Sequence, residues 1–197
     1  MLKPLASCTL LALSLLSPAH AAERTLSLDP AACRVGFSLQ ATLHVARGTL
    51  PVKEGEIRFD LETGRASGRV VLDASQATTA NRTRDEKMRG EVLETARYPE
   101  IVFVPAEVRG EIDGEGNGKV ALTGTLSIHG SGHPFTVSAS IRVRDNRLGA
   151  EGTFAIPYVE WGMKDPSVFL LRVAKEVEVH FEAAGGLSAA SANSSAR

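Results

Sequence analysis

The sequence predicts an all-β fold, an eight-stranded antiparallel β-barrel with one short α-helix. Apolar and polar residues alternate over most of the chain, which is the period of half-buried strands. Short polar turns separate the alternating runs, and a single stretch has the spacing of an amphipathic helix. Such strands hide their apolar face either between two sheets or inside a barrel. The number and length of the runs favour the barrel, because closure removes exposed strand edges.

The strands are predicted from runs that carry an apolar residue at every second position. These runs are residues 35–45, 56–61, 66–74, 101–112, 119–128, 135–143, 148–156 and 173–181. The fifth and sixth runs are expected to form a hairpin, because residues 129–134 between them are rich in histidine, glycine and proline. Asp145 and Asn146 are expected to form the next turn.

A helix is predicted over residues 81–96, between the third and fourth strands. Asn81 or Thr83 can cap its first turn, where Asp85 also interacts favourably with the helix dipole. This polar segment has two interpretations. In the first it is a solvated helix start, and in the second Arg84 and Asp85 tie the helix across the mouth of the barrel.

The two ends of the chain are expected to lie outside the barrel domain, which spans residues 22–184. Residues 1–21 have the pattern of a cleaved signal peptide, with Lys3 before an apolar run and Ala19-His20-Ala21 after it. Residues 185–197 are expected to form a disordered tail, because their glycine, serine and alanine bury little apolar surface. We therefore expect a protein that is exported to the periplasm.

Charge and cysteine content narrow the range of partners. The net charge is -1, without the clustered basic residues that bind nucleic acid, so no nucleic-acid partner is predicted. Removal of the signal peptide takes Cys8 with it and leaves Cys33 as an unpaired thiol. Free cysteine is most often a small buried apolar residue. A reactive thiol, or a bridge in a homodimer, is the alternative for Cys33.

No catalytic motif stands out in the sequence. It lacks G-x-S-x-G, H-E-x-x-H and a phosphate-binding glycine loop. His129 and His133 lie on a turn and provide two ligands, whereas zinc sites use three or four protein ligands. The sequence therefore predicts a protein that is not an enzyme, with no metal site and no cofactor.

The side chains predicted to face inward are mixed in size. Small residues interrupt the bulkier ones at Gly68, Ala74, Gly124, Ala139, Ala150 and Gly152. These positions either leave an interior cavity for a small ligand or reflect the ordinary tapering of a core. Residues 157–171, which contain the only tryptophan, either plug the barrel or line its entrance.

Taken together, these motifs resemble the YceI-like family of exported lipid-binding proteins. The resemblance spans residues 25–183 and includes Val35-Gly36-Phe37, Thr79-x-Asn81-x-x-Arg84-Asp85, Tyr98-Pro99-x-Ile101-x-Phe103 and Gly124-x-Leu126-x-Ile128-His129-Gly130. It implies a lipocalin-like barrel that carries a polyisoprenoid lipid or quinone in an apolar tunnel, with transient contact to a membrane or a membrane protein. The alternative is a periplasmic stress-related or protein-interaction module whose barrel is filled by its own side chains.

The resemblance, combined with the alternation of the strands, implies two sets of site residues. The ligand-binding set has residues that line the tunnel, Phe37, Leu39, Phe59, Phe103, Leu126 and Phe154, and residues nearer its openings, Leu93, Trp161 and Phe169. The set with a structural role or a place at the rim is Asn81, Arg84, Asp85 and His129.

Overall fold

The computed structural model describes residues 23–189. The expected signal peptide, and residues 190–197 of the expected tail, lie outside the described residues. The described part forms one antiparallel sheet and one α-helix, α1 (Arg82–Lys87). Its strands are β1 (Arg24–Leu28), β2 (Arg34–Gln40), β3 (Val45–Thr49), β4 (Val52–Asp60), β5 (Arg65–Asp73), β6 (Glu100–Ile112), β7 (Asn117–Ile128), β8 (Ser131–Arg144), β9 (Arg147–Ile156) and β10 (Val177–Ala189).

The sheet closes into a barrel of eight strand positions, as predicted. The first strand position is shared by β1 and β2, which are separated by a 3₁₀ turn at Pro30–Ala32. The neighbouring position is shared by β3 and β4. The closing strand is β10, whose first half pairs with β2 and whose second half pairs with β1. The closed ring leaves no open edge along β1 and β10, which makes an enclosed interior available.

Two tight hairpin turns connect the strands of the second half. His129 and Gly130 join β7 to β8 with φ values of 51° and 76°, and Asp145 and Asn146 join β8 to β9 with φ values of 48° and 58°. Two consecutive residues with positive φ are typical of the turns that fit the twist of a hairpin. Both predicted turns are confirmed, and the first is shorter than residues 129–134 suggested.

The predicted helix is divided into two parts. A π-helical turn at Met88–Val92 follows α1, with the Leu93 amide donating to the Met88 carbonyl at 2.8 Å. Glu94 then adopts a φ of 47°, which ends the helical geometry. The helix therefore starts where the sequence predicts it and ends a few residues early.

Several predicted strand limits are wrong, and one strand is missing from the prediction. The run over residues 35–45 is interrupted at residues 41–44, where the chain turns from β2 into β3. The run expected to start at residue 173 starts at Val177, because residues 173–176 belong to the connection from β9. Finally, β1 is absent from the prediction.

The disordered tail was predicted to begin at residue 185, and this start is also wrong. Residues 185–189 form the second half of β10 and pair with β1. Gly185 permits this pairing, because a Cβ atom there would lie 2.2 Å from the Ser27 carbonyl oxygen. The glycine that suggests disorder in the sequence is thus a requirement of the closing strand pair.

The barrel has two different ends. At the helix end lie α1, the loop between β2 and β3, and the connecting segment (residues 157–176) between β9 and β10. At the turn end lie the short β4–β5, β6–β7 and β8–β9 turns. One core cluster packs towards the helix end and consists of Phe103, Leu126, Ile128, Ile156, Tyr158 and Met163. The other packs towards the turn end and consists of Leu26, Ile57, Ile141, Leu148 and Leu187.

We predict that Gly124→Ala destabilises the barrel by about 1–3 kcal/mol through overpacking. A Cβ atom at Gly124 would lie 2.1 Å from the Val104 carbonyl oxygen, where β6 carries a bulge opposite it. Gly149→Ala is the matched control, because the nearest atom to its Cβ would be the Arg142 carbonyl oxygen at 4.0 Å. Urea unfolding of both variants measures the difference, and equal losses would contradict the close approach at Gly124.

Candidate ligand-binding site

The barrel encloses an apolar cavity of about 180 Å³. Its wall is built from the inward residues of β4 to β10, together with residues from β1 and β2. The lining residues include Phe59, Val70, Phe103, Leu122, Leu126, Phe135, Val137, Ala139, Ile141, Ala150, Phe154 and Phe181. Glu182 is the one charged residue along the wall, and its carboxylate lies 4.0 Å from the Arg34 guanidinium on the exposed outer side. The interior therefore offers dispersion contacts and no ionic partner.

A polar vestibule of about 650 Å³ adjoins this cavity at the turn end. The two spaces share Phe59 and Ile112. The charged residues around the vestibule are Arg24, Asp60, Glu62, Asp113, Glu115, Arg144 and Asp145. Phe59 and Ile112 thus stand between the apolar interior and a space edged by charged side chains at this end of the barrel.

The helix end, in contrast, is closed by the connecting segment. Tyr158 and Met163 are buried in the core cluster there, and Trp161 packs against it. The Trp161 indole stacks on the His133 ring, with centroids 4.0 Å apart and planes within 3° of parallel. The Tyr158 hydroxyl donates a 2.8 Å hydrogen bond to the Ala174 carbonyl, which ties the start of the segment to its end. Of the two predicted roles for this segment, the structure shows the plug.

A buried carboxylate anchors α1 to the barrel wall. Asp85 accepts hydrogen bonds from the Thr78 hydroxyl at 2.8 Å, the Thr79 hydroxyl at 2.5 Å and the Thr79 amide at 2.7 Å. Thr78 in turn exchanges two backbone hydrogen bonds with Thr49 of β3. Burial acts to raise the pKa of Asp85, but the Thr79 and Thr78 hydrogen bonds and the charge of Arg89 hold this pKa below its ordinary value.

The other polar residues predicted around the rim support the same anchor. Asn81 caps α1, because its side-chain oxygen accepts from the Arg84 amide at 3.0 Å. The Arg84 guanidinium donates to the Thr79 hydroxyl at 2.8 Å and to the Thr79 carbonyl at 3.1 Å. Arg84 and Asp85 thus do form a tie, but to the connection after β5 and not across the mouth of the barrel.

His129 lies beside the segment that follows the helical turns and not in the cavity wall. Its Nε2 atom is 3.2 Å from a Glu94 carboxylate oxygen, without hydrogen-bond geometry, and its ring packs against Tyr98. The His133 Nε2 atom is also buried and has no hydrogen-bond partner in the described part of the chain. Within residues 23–189, no group of three or more His, Cys, Asp or Glu side chains could hold a metal ion.

The structure places eight of the nine predicted ligand-binding residues in three groups. Phe59, Phe103, Leu126 and Phe154 line the cavity. Leu39, Leu93 and Trp161 pack against the core cluster at the helix end. The ring of Phe37 covers Gly48, where a Cβ atom would lie 2.2 Å from the Phe37 Cζ atom.

Phe169 is placed differently from the prediction. The resemblance implies a place nearer an opening of the tunnel, whereas Phe169 is 92% exposed on the connecting segment at the helix end and is not part of the cavity wall. The prediction also omitted Phe135, Val137 and Phe181, which do line it. The alternation in β8 and β10 carries the signal for these three residues.

The small inward residues have two different roles. Ala139 and Ala150 line the cavity and leave space, as the cavity interpretation requires. Gly68, Gly124 and Gly152 are not part of its wall.

Cys33 is half-buried, and its thiol points to the Ala184 carbonyl at 3.6 Å, in the wall beside β10.

In the described part of the chain, no helix has the length and apolar character needed to cross a bilayer.

A closed eight-stranded antiparallel barrel around an apolar cavity defines the class of small ligand-binding β-barrels. Within this class the chain belongs to the YceI-like domain family, which matches residues 26–184. This match confirms the resemblance found in the sequence, and it covers the barrel from β1 into β10.

Relatives and solved structures agree with this family. The UPF0312 protein of Vibrio campbellii is 28% identical over 133 residues, which cover 66% of this chain and 68% of that protein. BcnA of Burkholderia cenocepacia has a TM-score of 0.64 at 20% identity, covering 80% of this chain and 99% of that one. A polyisoprenoid binding domain from Saccharophagus degradans has a TM-score of 0.66 at 17% identity, covering 84% and 98%. At these identities the solved structures show a shared fold.

We predict that Asp85→Asn lowers the stability by about 2 kcal/mol at neutral pH, the range for a buried hydrogen bond to a charged group. Because the folded state lowers the pKa of Asp85, its stabilisation is present above the ordinary value of 3.8 and is lost as the pH falls through the folded value. The difference from the wild type, measured by urea unfolding, should therefore shrink at acid pH. Glu86→Gln, on the exposed side of α1, is the control and should change little.

We also predict that Tyr158 ionises late in an alkaline titration. Burial, with a contribution from Asp165, raises the pKa of Tyr158 from 10.0 to about 12. Between these values the unfolded chain loses the phenol proton and the folded chain keeps it, so stability falls as the pH rises through this interval. Phenolate absorbance should show a late step that Tyr158→Phe removes, and a step at the ordinary value would contradict the burial of the phenol.

Proposed function

We propose that this protein is a non-catalytic carrier of a long polyisoprenoid lipid or quinone, which it holds in the apolar interior of the barrel. The observation that carries the proposal is the continuous apolar wall of the cavity, where Glu182 is the one ionisable residue and points outward. An isoprenoid tail has no polar group to match, so an apolar tube is sufficient to bind it. Each buried methylene contributes about 0.8 kcal/mol.

The vestibule at the turn end supports one orientation of the cargo, with its polar head at that end. A lipid with a polar head leaves that head in water or in a polar chamber, because burying it without partners is costly. The vestibule is polar and adjoins the apolar cavity through Phe59 and Ile112. We infer that the tail points towards the plugged helix end and the head group lies among the charged turns.

The relatives support the same class of cargo. The Saccharophagus degradans domain, which has the same fold, is described as polyisoprenoid binding. The match to this chain covers 98% of that domain. A binding role also suits the interior, since the cavity wall holds no nucleophile paired with a base.

The sequence of residues 1–21 supports a location outside the cytoplasm for the mature protein. Their charged start, apolar run and small-x-small site have the pattern of a signal peptide. We propose that the mature chain works in the periplasm, where a lipid tail needs a protein to cross water, and that it touches a membrane transiently to load or release its cargo.

The size of the cavity favours a second candidate. Its volume of about 180 Å³ is smaller than that of most small-molecule pockets, which measure about 300–1,000 Å³. The second candidate is a protein-interaction or stress-related module whose barrel is filled by its own side chains. The carrier requires the lining side chains to move apart when the tail enters, and the second candidate requires no cargo.

Extraction of the native protein distinguishes the two candidates. We predict that protein purified from cells that make isoprenoid quinones and extracted with organic solvent releases a stoichiometric isoprenoid, identified by mass spectrometry. The double variant Ala139→Leu, Ala150→Leu adds bulk to the cavity wall and should lose this lipid while keeping the far-ultraviolet circular dichroism of the barrel.

The matched control is the double variant Ser138→Leu, Ser140→Leu, which adds the same side chains on the exposed outer face of β8. It should keep the lipid. A wild-type protein that yields no isoprenoid, or a cavity variant that retains it fully, would overturn the carrier and support the self-filled barrel.

A further inference from the structure

Four large apolar side chains project into water at the helix end of the barrel. Leu43 is 84% exposed, Val168 61%, Phe169 92% and Leu170 82%. We call these four residues the apolar tip. Among the large apolar residues of the described chain, Val104 on the barrel wall is the other exposed one, at 45%. The exposed apolar surface is therefore concentrated at one end of the molecule.

The tip is held together by hydrogen bonds between its two loops. The Thr42 amide donates to the Arg172 carbonyl at 2.9 Å, and the Arg172 amide donates to the Thr42 hydroxyl at 3.0 Å. Ala41 and Val173 form a β-bridge beside them. These bonds bring together the two loops that carry Leu43 and residues 168–170.

The second loop also has a defined turn. The Val168 amide donates to the Leu171 carbonyl at 2.9 Å, and the Leu171 amide donates to the Val168 carbonyl at 3.1 Å. The Ser167 hydroxyl accepts from the Val173 amide at 3.0 Å. These hydrogen bonds hold the turn in one shape, from which Phe169 and Leu170 project outward.

From its size and charge, we propose that the apolar tip inserts into the surface of a lipid bilayer. Four side chains of this size expose on the order of 500 Å² of apolar surface, which is the scale of a functional patch on a monomer. A specific protein interface or a stable dimer buries about 800 Å² on each partner, mostly on broad, complementary faces. The tip is a small protrusion on two loops, a shape that enters the boundary between head groups and acyl chains.

Basic residues stand at the base of the tip. Arg172 directly follows the turn, and Lys175 lies three residues further on. Hydrogen bonds from Ser167, together with the charges of Lys175 and Arg172, lower the pKa of Asp165, which places both cations beside the same loop. Arg172 and Lys175 are both exposed and can contact lipid phosphates when the tip is inserted.

Docking through the tip orients the barrel on the membrane. The tip belongs to the same connecting segment as Tyr158, Trp161 and Met163, which close the helix end. Insertion therefore sets the plug against the bilayer and turns the polar vestibule towards water. Exchange of cargo in this position rests on the proposed carrier function and requires the connecting segment to move aside, whereas membrane binding itself is measurable without cargo.

Vesicle flotation with the purified full-length mature protein tests this proposal. The wild type should float with vesicles of phosphatidylcholine and phosphatidylglycerol. The double variant Phe169→Ser, Leu170→Ser should bind them at least about tenfold more weakly, since it removes the two most exposed large side chains of the second loop. Val104→Ser is the matched control and should bind like the wild type, because Val104 lies on the barrel wall.

Failure of the wild type to float, or equal flotation of the double variant, would overturn the proposal. So would a wild-type dimer, detected by light scattering, that the double variant converts to a monomer, because the tip would then be a protein interface. Solvent extraction of the same samples distinguishes a failure of membrane docking from a failure of the carrier function. The double variant should keep the isoprenoid of the wild type, and absence of lipid from both would count against the carrier and not against docking.

Discussion

Closure of the sheet through β10 is the constraint on which the interior depends. This strand pairs with β2 along its first half and with β1 along its second half. One continuous strand therefore spans the break between β1 and β2, which share one strand position. An open sheet of the same strands would expose its apolar face and its edge amides to water. With the ring closed, the alternating residues of every strand share one dry space, and the ligand cavity follows from that geometry.

The contrast between the two ends gives this closed tube a direction. At the helix end, Tyr158 and Met163 fill the interior, and Asp85 holds α1 against the barrel wall with three hydrogen bonds. At the turn end, short connections leave a polar chamber next to the cavity. The two ends of the barrel therefore differ, because the connecting segment closes one and charged turns surround the other.

Alternation within the strands made the barrel predictable, since every inward row of β7 and β8 can be read at a period of two. The closing pair was not predictable in this way. β1 is short, and residues 185–189 look like a flexible tail until Ser27 is seen to approach Gly185 closely. The same limit applies to the site. Phe59, Phe103 and Phe154 follow from strand parity, whereas Phe169 lies in a loop, where hydrogen bonds between distant segments decide its direction.

The strand pair that closes the ring joins residues at opposite extremes of the described chain, with Arg24 opposite Ala189. Contacts between residues so distant in sequence form slowly, because the loop entropy of the whole intervening chain is lost before they add stability. The barrel consequently cannot complete its folding until its last strand is available. A chain built in this way closes its ring only after the whole domain has been synthesised.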